Sequence, residues 1–146
     1  MRVNDLYRQV IMDHYKNPRN KGLVDDSSYK TLRLKNPSCG DDTTIQALIK
    51  DGIVEKVVFD GAGCSICCAS ASVMTEILEG KTIEEAEAII NDFYSLIKGE
   101  EVDNEEALDE AIAFGGVSQF PARVKCATLS WKAMGAILEG EKHNDR

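Results

Sequence analysis

Residues 59–72 read Phe-Asp-Gly-Ala-Gly-Cys-Ser-Ile-Cys-Cys-Ala-Ser-Ala-Ser, and no other stretch constrains the fold as tightly. An apolar run from Ile53 to Phe59 ends in two glycines. Small, helix-compatible residues follow. A strand that turns abruptly into a helix fits this pattern, with Cys64 at or near the helix N-terminus. Unpaired backbone N–H groups and the helix dipole favour a thiolate there. A thiolate so placed serves as a nucleophile or as a metal ligand.

The flanking segments say what that junction belongs to. Residues 30–35 alternate polar and apolar, the period of a half-buried strand. Pro37 and Gly40 turn the chain, and residues 43–50 form a second strand. Asp51-Gly52 is a two-residue hairpin signal, which makes 53–59 the return strand. Three such runs predict an antiparallel meander and not a βαβ unit. Upstream, Val3, Tyr7, Val10, Ile11 and His14 recur at helical spacing, so a helix is expected over 4–16, ended at Asn17-Pro18. His14 is expected to cap or pack. Downstream, a helix over 65–79 should close at Gly80. Thr82 and Glu85 form a capping box ahead of the buried face Ile83, Ala86, Ile90, Phe93 and Ile97. Lys98 to Asn104 is an acidic linker. Asn104 should cap a short helix that ends at Phe114 and is broken by Gly115-Gly116. Pro121 suits the first turn of a last helix, striped by Val124, Ala127, Trp131, Met134 and Leu138 and ended by Gly140, with a frayed tail over 141–146. Met and Trp at that spacing read as core. The expected fold class is α+β: a three-stranded antiparallel sheet packed against about five helices, in one domain spanning 1–146. Within it, residues 1–22 form an N-terminal helix and loop.

Composition narrows the function. A chain of 146 residues can bury about two-thirds of its unfolded surface in one core. A net charge of −8 argues against a nucleic-acid partner, which would want a basic face. No apolar run reaches membrane-span length and no signal-peptide core follows the first residues, so a cytoplasmic protein without a membrane partner is expected. In that compartment five cysteines, an odd count, suggest reduced thiols serving a metal or redox chemistry.

Two further cysteines lie where a site could close on Cys64. Cys39-Gly40-Asp41 places a thiol and a carboxylate two apart in a tight turn, and Cys126 falls about a turn and a half into the last helix. Cys39, Asp41, Cys64 and Cys126 make a set of three sulfurs and one oxygen. That set suits four-coordinate Zn²⁺, and thiolates also suit an iron–sulfur cluster. An oxygen among thiolates exchanges more easily, so such a site can let a ligand leave. Arg123, Lys125 and the helix start at Ser65 could offset the net negative charge. Cys67 and Cys68 follow Cys64 by three and four residues on the same helical face. They are either a secondary sulfur relay, alternative ligands, or packing residues.

His14-Tyr15-Lys16-Asn17-Pro18-Arg19-Asn20, Asn36-Pro37-Ser38-Cys39-Gly40-Asp41, Gly61-Ala62-Gly63-Cys64-Ser65-Ile66 and Ala122-Arg123-Val124-Lys125-Cys126 together resemble the IscU/NifU-type iron–sulfur cluster assembly proteins. The resemblance covers nearly the whole chain and points to the SufU branch, in which the segment before the third cysteine is lengthened, here residues 98–120. Scaffold-type members carry histidine immediately before that cysteine, where this chain has Lys125. The resemblance implies a zinc-bound sulfur acceptor that takes persulfide sulfur from a pyridoxal-phosphate (PLP) cysteine desulfurase of the SufS type and passes it to a downstream iron–sulfur scaffold. It also implies Cys39 as the persulfide acceptor, on a loop from which it can swing out. Arg123 is the candidate for pairing with an acidic group of the desulfurase.

Three other readings make different demands. A scaffold would assemble a transient [2Fe–2S] cluster on the same four ligands. A thiol–disulfide oxidoreductase would use Cys64-Ser65-Ile66-Cys67 as a redox pair, which expects a βαβ context. A structural zinc module would have no chemistry of its own.

Overall fold

The computed structural model describes residues 3–144 with the exception of Cys39. Helix α1 (Val3–Lys16) is followed by strands β1 (Lys30–Asn36), β2 (Asp41–Lys50) and β3 (Ile53–Ala62). Helices α2 (Ser65–Leu78), α3 (Ile83–Ile97) and α4 (Glu105–Leu108) come next, then a 3₁₀ segment (Asp109–Gln119) and the long α5 (Pro121–Asn144). The strands pair antiparallel in the order β1-β2-β3, the expected meander, and Asp51 and Gly52 take positive φ values of 53° and 75° in its second turn. Both central residues of a type I′ hairpin turn require this. The α+β architecture is as the sequence pattern predicts.

Alternation along the strands sends one face into the core: Ile45 and Ala47 of β2 and Val54, Val57 and Phe59 of β3 are buried. Helix α5 covers β1 and β2 on that face, α2 covers β3, and the two helices pack on each other. The loop after α1 seals the outer edge of β3. Phe59 N–H donates to the Asn20 carbonyl at 3.0 Å, and Gly22 N–H donates to the Phe59 carbonyl at 2.8 Å. An edge strand paired this way offers no template to another chain.

The helical layer closes around aromatic residues. Phe93 of α3 stacks on Trp131 of α5 with centroids 3.9 Å apart, and meets Phe114 edge-on at 6.1 Å. Trp131 donates its indole N–H to Ser70 Oγ at 2.8 Å, and Ser70 donates to the Ala127 carbonyl at 2.6 Å. The one polar atom of Trp131 is therefore satisfied inside the core. With Met134 and Leu138 also fully buried, the α5 stripe is core, as its spacing predicts.

Several boundaries differ from expectation. Strands β2 and β3 run two and three residues further toward the junction, because Asp42 pairs with Ala62 and Thr43 with Gly61. Gly61 makes this possible. Its φ is 143°, and a Cβ there would collide with the Asp42 carbonyl. Asp41 consequently opens a strand and does not sit in the turn. Gly80 ends α2 through a type II turn, with Lys81 N–H donating to the Leu78 carbonyl at 3.2 Å. The Thr82–Glu85 capping box forms in both directions. Asn104 caps α4 through Ala107 N–H, but α4 stops at Leu108, where Asp109 takes φ 49°. The chain then continues as 3₁₀ helix through Gly115-Gly116. Helix α5 does not end at Gly140. One glycine costs a helix only about 1 kcal/mol, and Lys142 beyond it pairs with Glu87 of α3 at 3.3 Å.

Because Phe93 bridges Trp131 and Phe114 with none of its surface exposed, Phe93→Ala is expected to lower unfolding free energy by about 3–5 kcal/mol. Denaturant titration checks this. A loss below about 1 kcal/mol would mean that the aromatic stack does not hold α3 to α5.

Candidate metal centre

The sheet and the two helices packed on it converge where β2 begins, α2 begins and α5 completes its second turn. Asp41, Cys64 and Cys126 meet at that point, one carboxylate oxygen and two sulfurs lying within 4.8 Å of one another. Asp41 is 1% exposed and Cys126 fully buried.

Each side chain is placed by a local cause. Cys64 is the N-cap of α2 with extended backbone (φ −71°, ψ 167°), and its sulfur accepts the Cys67 N–H at 3.5 Å. A sulfur thus occupies the position that a hydroxyl or carboxylate usually takes at a helix start. The Cys64 N–H donates to Asp41 Oδ1 at 3.0 Å, which ties the start of β2 to the start of α2. Gly63 leaves room for that bond, since a Cβ there would lie 2.5 Å from Asp41 Oδ1. Cys126 reaches the site from α5, where Leu129, Leu34 and Ile66 pack around it and Cys67.

The donor set fits a thiophilic cation. Asp41 Oδ2 is buried and has no hydrogen-bond partner among the described residues, an arrangement that ordinarily costs about 1–3 kcal/mol or more for a charged group. A cation bound between that oxygen and the two sulfurs would satisfy it. Two sulfurs and one carboxylate oxygen supply three of the four positions that zinc prefers, at a helix N-terminus that favours negative charge. Arg123, exposed at the start of α5, lies against both sulfurs. The charge of Cys64 is the largest of the influences that hold the Arg123 pKa above its ordinary value, followed by hydrogen bonds to Cys64 and Cys126.

Of the residues expected at the site, Asp41, Cys64 and Cys126 are brought together and Arg123 flanks them. Cys39 lies outside the described residues. Gly40 beside it takes φ 73° and donates its N–H to the Asn36 carbonyl at 2.9 Å. Lys125 is exposed. Cys67 is 1% exposed, and burial pushes its thiol up to about 12 despite a 3.4 Å contact with Thr43 Oγ1. Burial also raises the half-buried Cys68, with Lys21 opposing. Cys67 is thus packed in the core, whereas Cys68 stays partly exposed. The Cys64–Cys67 redox pair lacks its βαβ context too, since the strand entering the helix belongs to an antiparallel meander. The part played by Gly63 was missed in the sequence, although Gly-x-Gly-Cys carried the signal.

His14 packs, fully buried, with Nδ1 2.8 Å from Ser72 Oγ. It does not cap its own helix.

The chain is similar to proteins of known family. The model of the NifU-like N-terminal domain matches residues 6–132. The chain is 50% identical over 132 residues to the zinc-dependent sulfurtransferase SufU of Bacillus subtilis, covering 90% of this chain and 88% of that one. It is 38% identical over 138 residues to the iron–sulfur cluster assembly scaffold protein IscU of Streptococcus pyogenes, covering 94% and 86%. Among solved structures, an iron–sulfur cluster assembly scaffold protein for the SUF system from Fervidobacterium islandicum superposes with a TM-score of 0.76 at 34% identity, over 94% of this chain and 97% of that one. The chain belongs to the NifU-like N-terminal domain family, as a SufU-type member of the IscU/NifU-like iron–sulfur cluster assembly proteins.

Proposed function

We propose that this chain is a zinc-dependent sulfurtransferase of iron–sulfur cluster assembly, accepting persulfide sulfur on Cys39 and handing it to a downstream scaffold. The observation that carries the reading is the convergence of Asp41, Cys64 and Cys126, with Cys39 two residues before Asp41 in the sequence. Zinc, when bound by these four residues, would keep the thiols as thiolates at neutral pH and mask them from oxidation.

The reaction of the chain is a thiol exchange. The Cys39 thiolate attacks the outer sulfur of a persulfide on a PLP cysteine desulfurase of the SufS type. A new S–S bond forms at Cys39, the bond to the desulfurase cysteine breaks, and that cysteine departs as a thiolate. Cys39 falls in the sequence between β1 and β2, and a connection between strands suits an acceptor that must meet a partner. Asp41 stays behind on β2, held by the Cys64 N–H. Arg123, exposed on the first turn of α5 beside the sulfurs, is placed to meet an acidic group of the docking desulfurase. No helix among the described residues is long and apolar enough to cross a membrane, and a cytoplasmic exchange between two proteins is consistent with that.

A second reading, assembly of a transient [2Fe–2S] cluster on the same ligands, is favoured by the 38% identity to a protein named as a scaffold. Anaerobic reconstitution separates the two. A scaffold gains visible charge-transfer bands, whereas a zinc sulfur carrier stays colourless.

Incubation with desulfurase and cysteine is expected to place a persulfide on Cys39, mapped by mass spectrometry. Cys39→Ser should abolish both the adduct and the stimulation of the desulfurase, and a variant that still stimulates would refute the assignment. Gly63→Ala should push the Asp41 carboxylate aside and weaken zinc binding about 10–100-fold with the far-UV spectrum unchanged. Undiminished affinity would remove Asp41 from the ligand set. Arg123→Glu should weaken desulfurase binding at least about tenfold, since facing like charges costs several kcal/mol. An unchanged dissociation constant at low salt would place the docking surface elsewhere.

A further inference from the structure

A second cluster of ligand-type side chains lies away from the cysteines, where α1, α2 and the 3₁₀ segment meet. His14 of α1, Glu76 of α2 and Glu110 of the 3₁₀ segment each bring one donor atom, all within 4.8 Å of one another. His14 Nε2 is 3.2 Å from Glu110 Oε1 and 3.8 Å from Glu76 Oε1. From this juxtaposition we propose a second metal site, which takes a divalent first-row transition-metal ion on His14, Glu76 and Glu110 without any thiolate.

Three features support it. The imidazole is fully buried and fixed from behind, with Nδ1 2.8 Å from Ser72 Oγ. Ser72 Oγ also accepts the Arg19 backbone N–H at 2.8 Å. A hydroxyl oxygen has two lone pairs, so it can accept the Nδ1–H as well. In that tautomer the Nε2 lone pair faces the two carboxylates, the orientation that metal-bound histidines owe to a hydrogen bond on their other nitrogen. With the proton on Nδ1, three acceptor atoms would point at one another, and a cation would take the place of the Nε2 proton that otherwise bonds Glu110. A proton on Nε2 is one occupant and a cation is the other.

Charge is the second feature. Arg19 approaches Glu76 to 4.0 Å, but its guanidinium is held elsewhere, on Asp13 Oδ2 at 2.6 Å and the Asn17 carbonyl at 3.0 Å. With Asp13 and Arg19 cancelling, Glu76 and Glu110, joined by Asp109 in the same cleft, leave a negative excess that a divalent cation would offset.

Access is the third. Glu76 and Glu110 are each 43% exposed and line a cleft of about 250 Å³ with Val73, Ile77 and Asp109. An ion can therefore enter and keep water in its remaining positions. One imidazole and two carboxylates suit Zn²⁺, Fe²⁺ or Mn²⁺ better than a soft ion such as Cu⁺.

The test is cobalt uptake by the reduced, metal-stripped chain. Two classes of Co²⁺ are expected. One shows intense thiolate-to-metal charge transfer from the cysteine centre, and the other only the weak d–d bands of nitrogen and oxygen ligation. The double variant Glu76→Gln, Glu110→Gln changes half-exposed side chains and should leave the fold intact. It should weaken the second class by more than the roughly 10–100-fold that loss of an outer hydrogen-bond partner costs, with the charge-transfer class unchanged. Uptake confined to the thiolate class overturns the proposal, as does a second class that keeps its affinity in the double variant. The cysteine centre reports through its own bands, so its failure is read separately.

Discussion

One hydrogen bond fixes the relation between the sheet and the helices at the metal centre. The Cys64 N–H donates to Asp41 Oδ1 at 3.0 Å, joining the first residue of β2 to the cap of α2. The bond uses a donor that every helix start must satisfy somewhere, and spends it on aligning a carboxylate with a sulfur. It leaves Asp41 Oδ2 buried and unpartnered among the described residues. The meander puts Asp41 at the strand start, Gly61 lets β3 close against β2, and Gly63 clears the space for the carboxylate.

The electrostatics of this corner follow from the same contact. A carboxylate and two sulfurs gathered in a buried place repel one another unless positive charge is supplied. The chain, with a net charge of −8, has little to spare. The helix N-terminus and Arg123 provide part of it, and a cation held by Asp41, Cys64 and Cys126 would provide the rest. Cys67 shows what the pocket does to a sulfur without such help: burial, with the negative charge of its neighbours adding to it, pushes its thiol up to about 12. Cys126 is as buried as Cys67, so the close donor set and not burial separates the sulfurs that gather at the centre from the one that packs behind them.

Much of this was legible in the sequence because the signals are local. Asp51-Gly52, the Thr82–Glu85 box and the α5 stripe each specify their element within a few residues, and the structure follows them. The strand ends were not legible. The pairing of Asp42 with Ala62 is a contact between segments twenty residues apart, and only the assembled sheet shows that Asp41 leaves the turn. Gly140 misled for the opposite reason: glycine is a strong local stop signal, but one glycine costs a helix only about 1 kcal/mol, and α5 runs on to Asn144. At the site, residue types and spacing picked out Asp41, Cys64 and Cys126. The grouping of His14 with Glu76 and Glu110 spans three elements far apart in sequence and left no pattern to read.

Zinc K-edge X-ray absorption of the protein purified without chelator tests the centre most directly. The account predicts one zinc ion with three sulfurs at about 2.3 Å and a single oxygen at about 2.0 Å. A shell of four sulfurs would mean that Cys67 or Cys68 displaces Asp41. That result, or a protein free of zinc, would contradict the account.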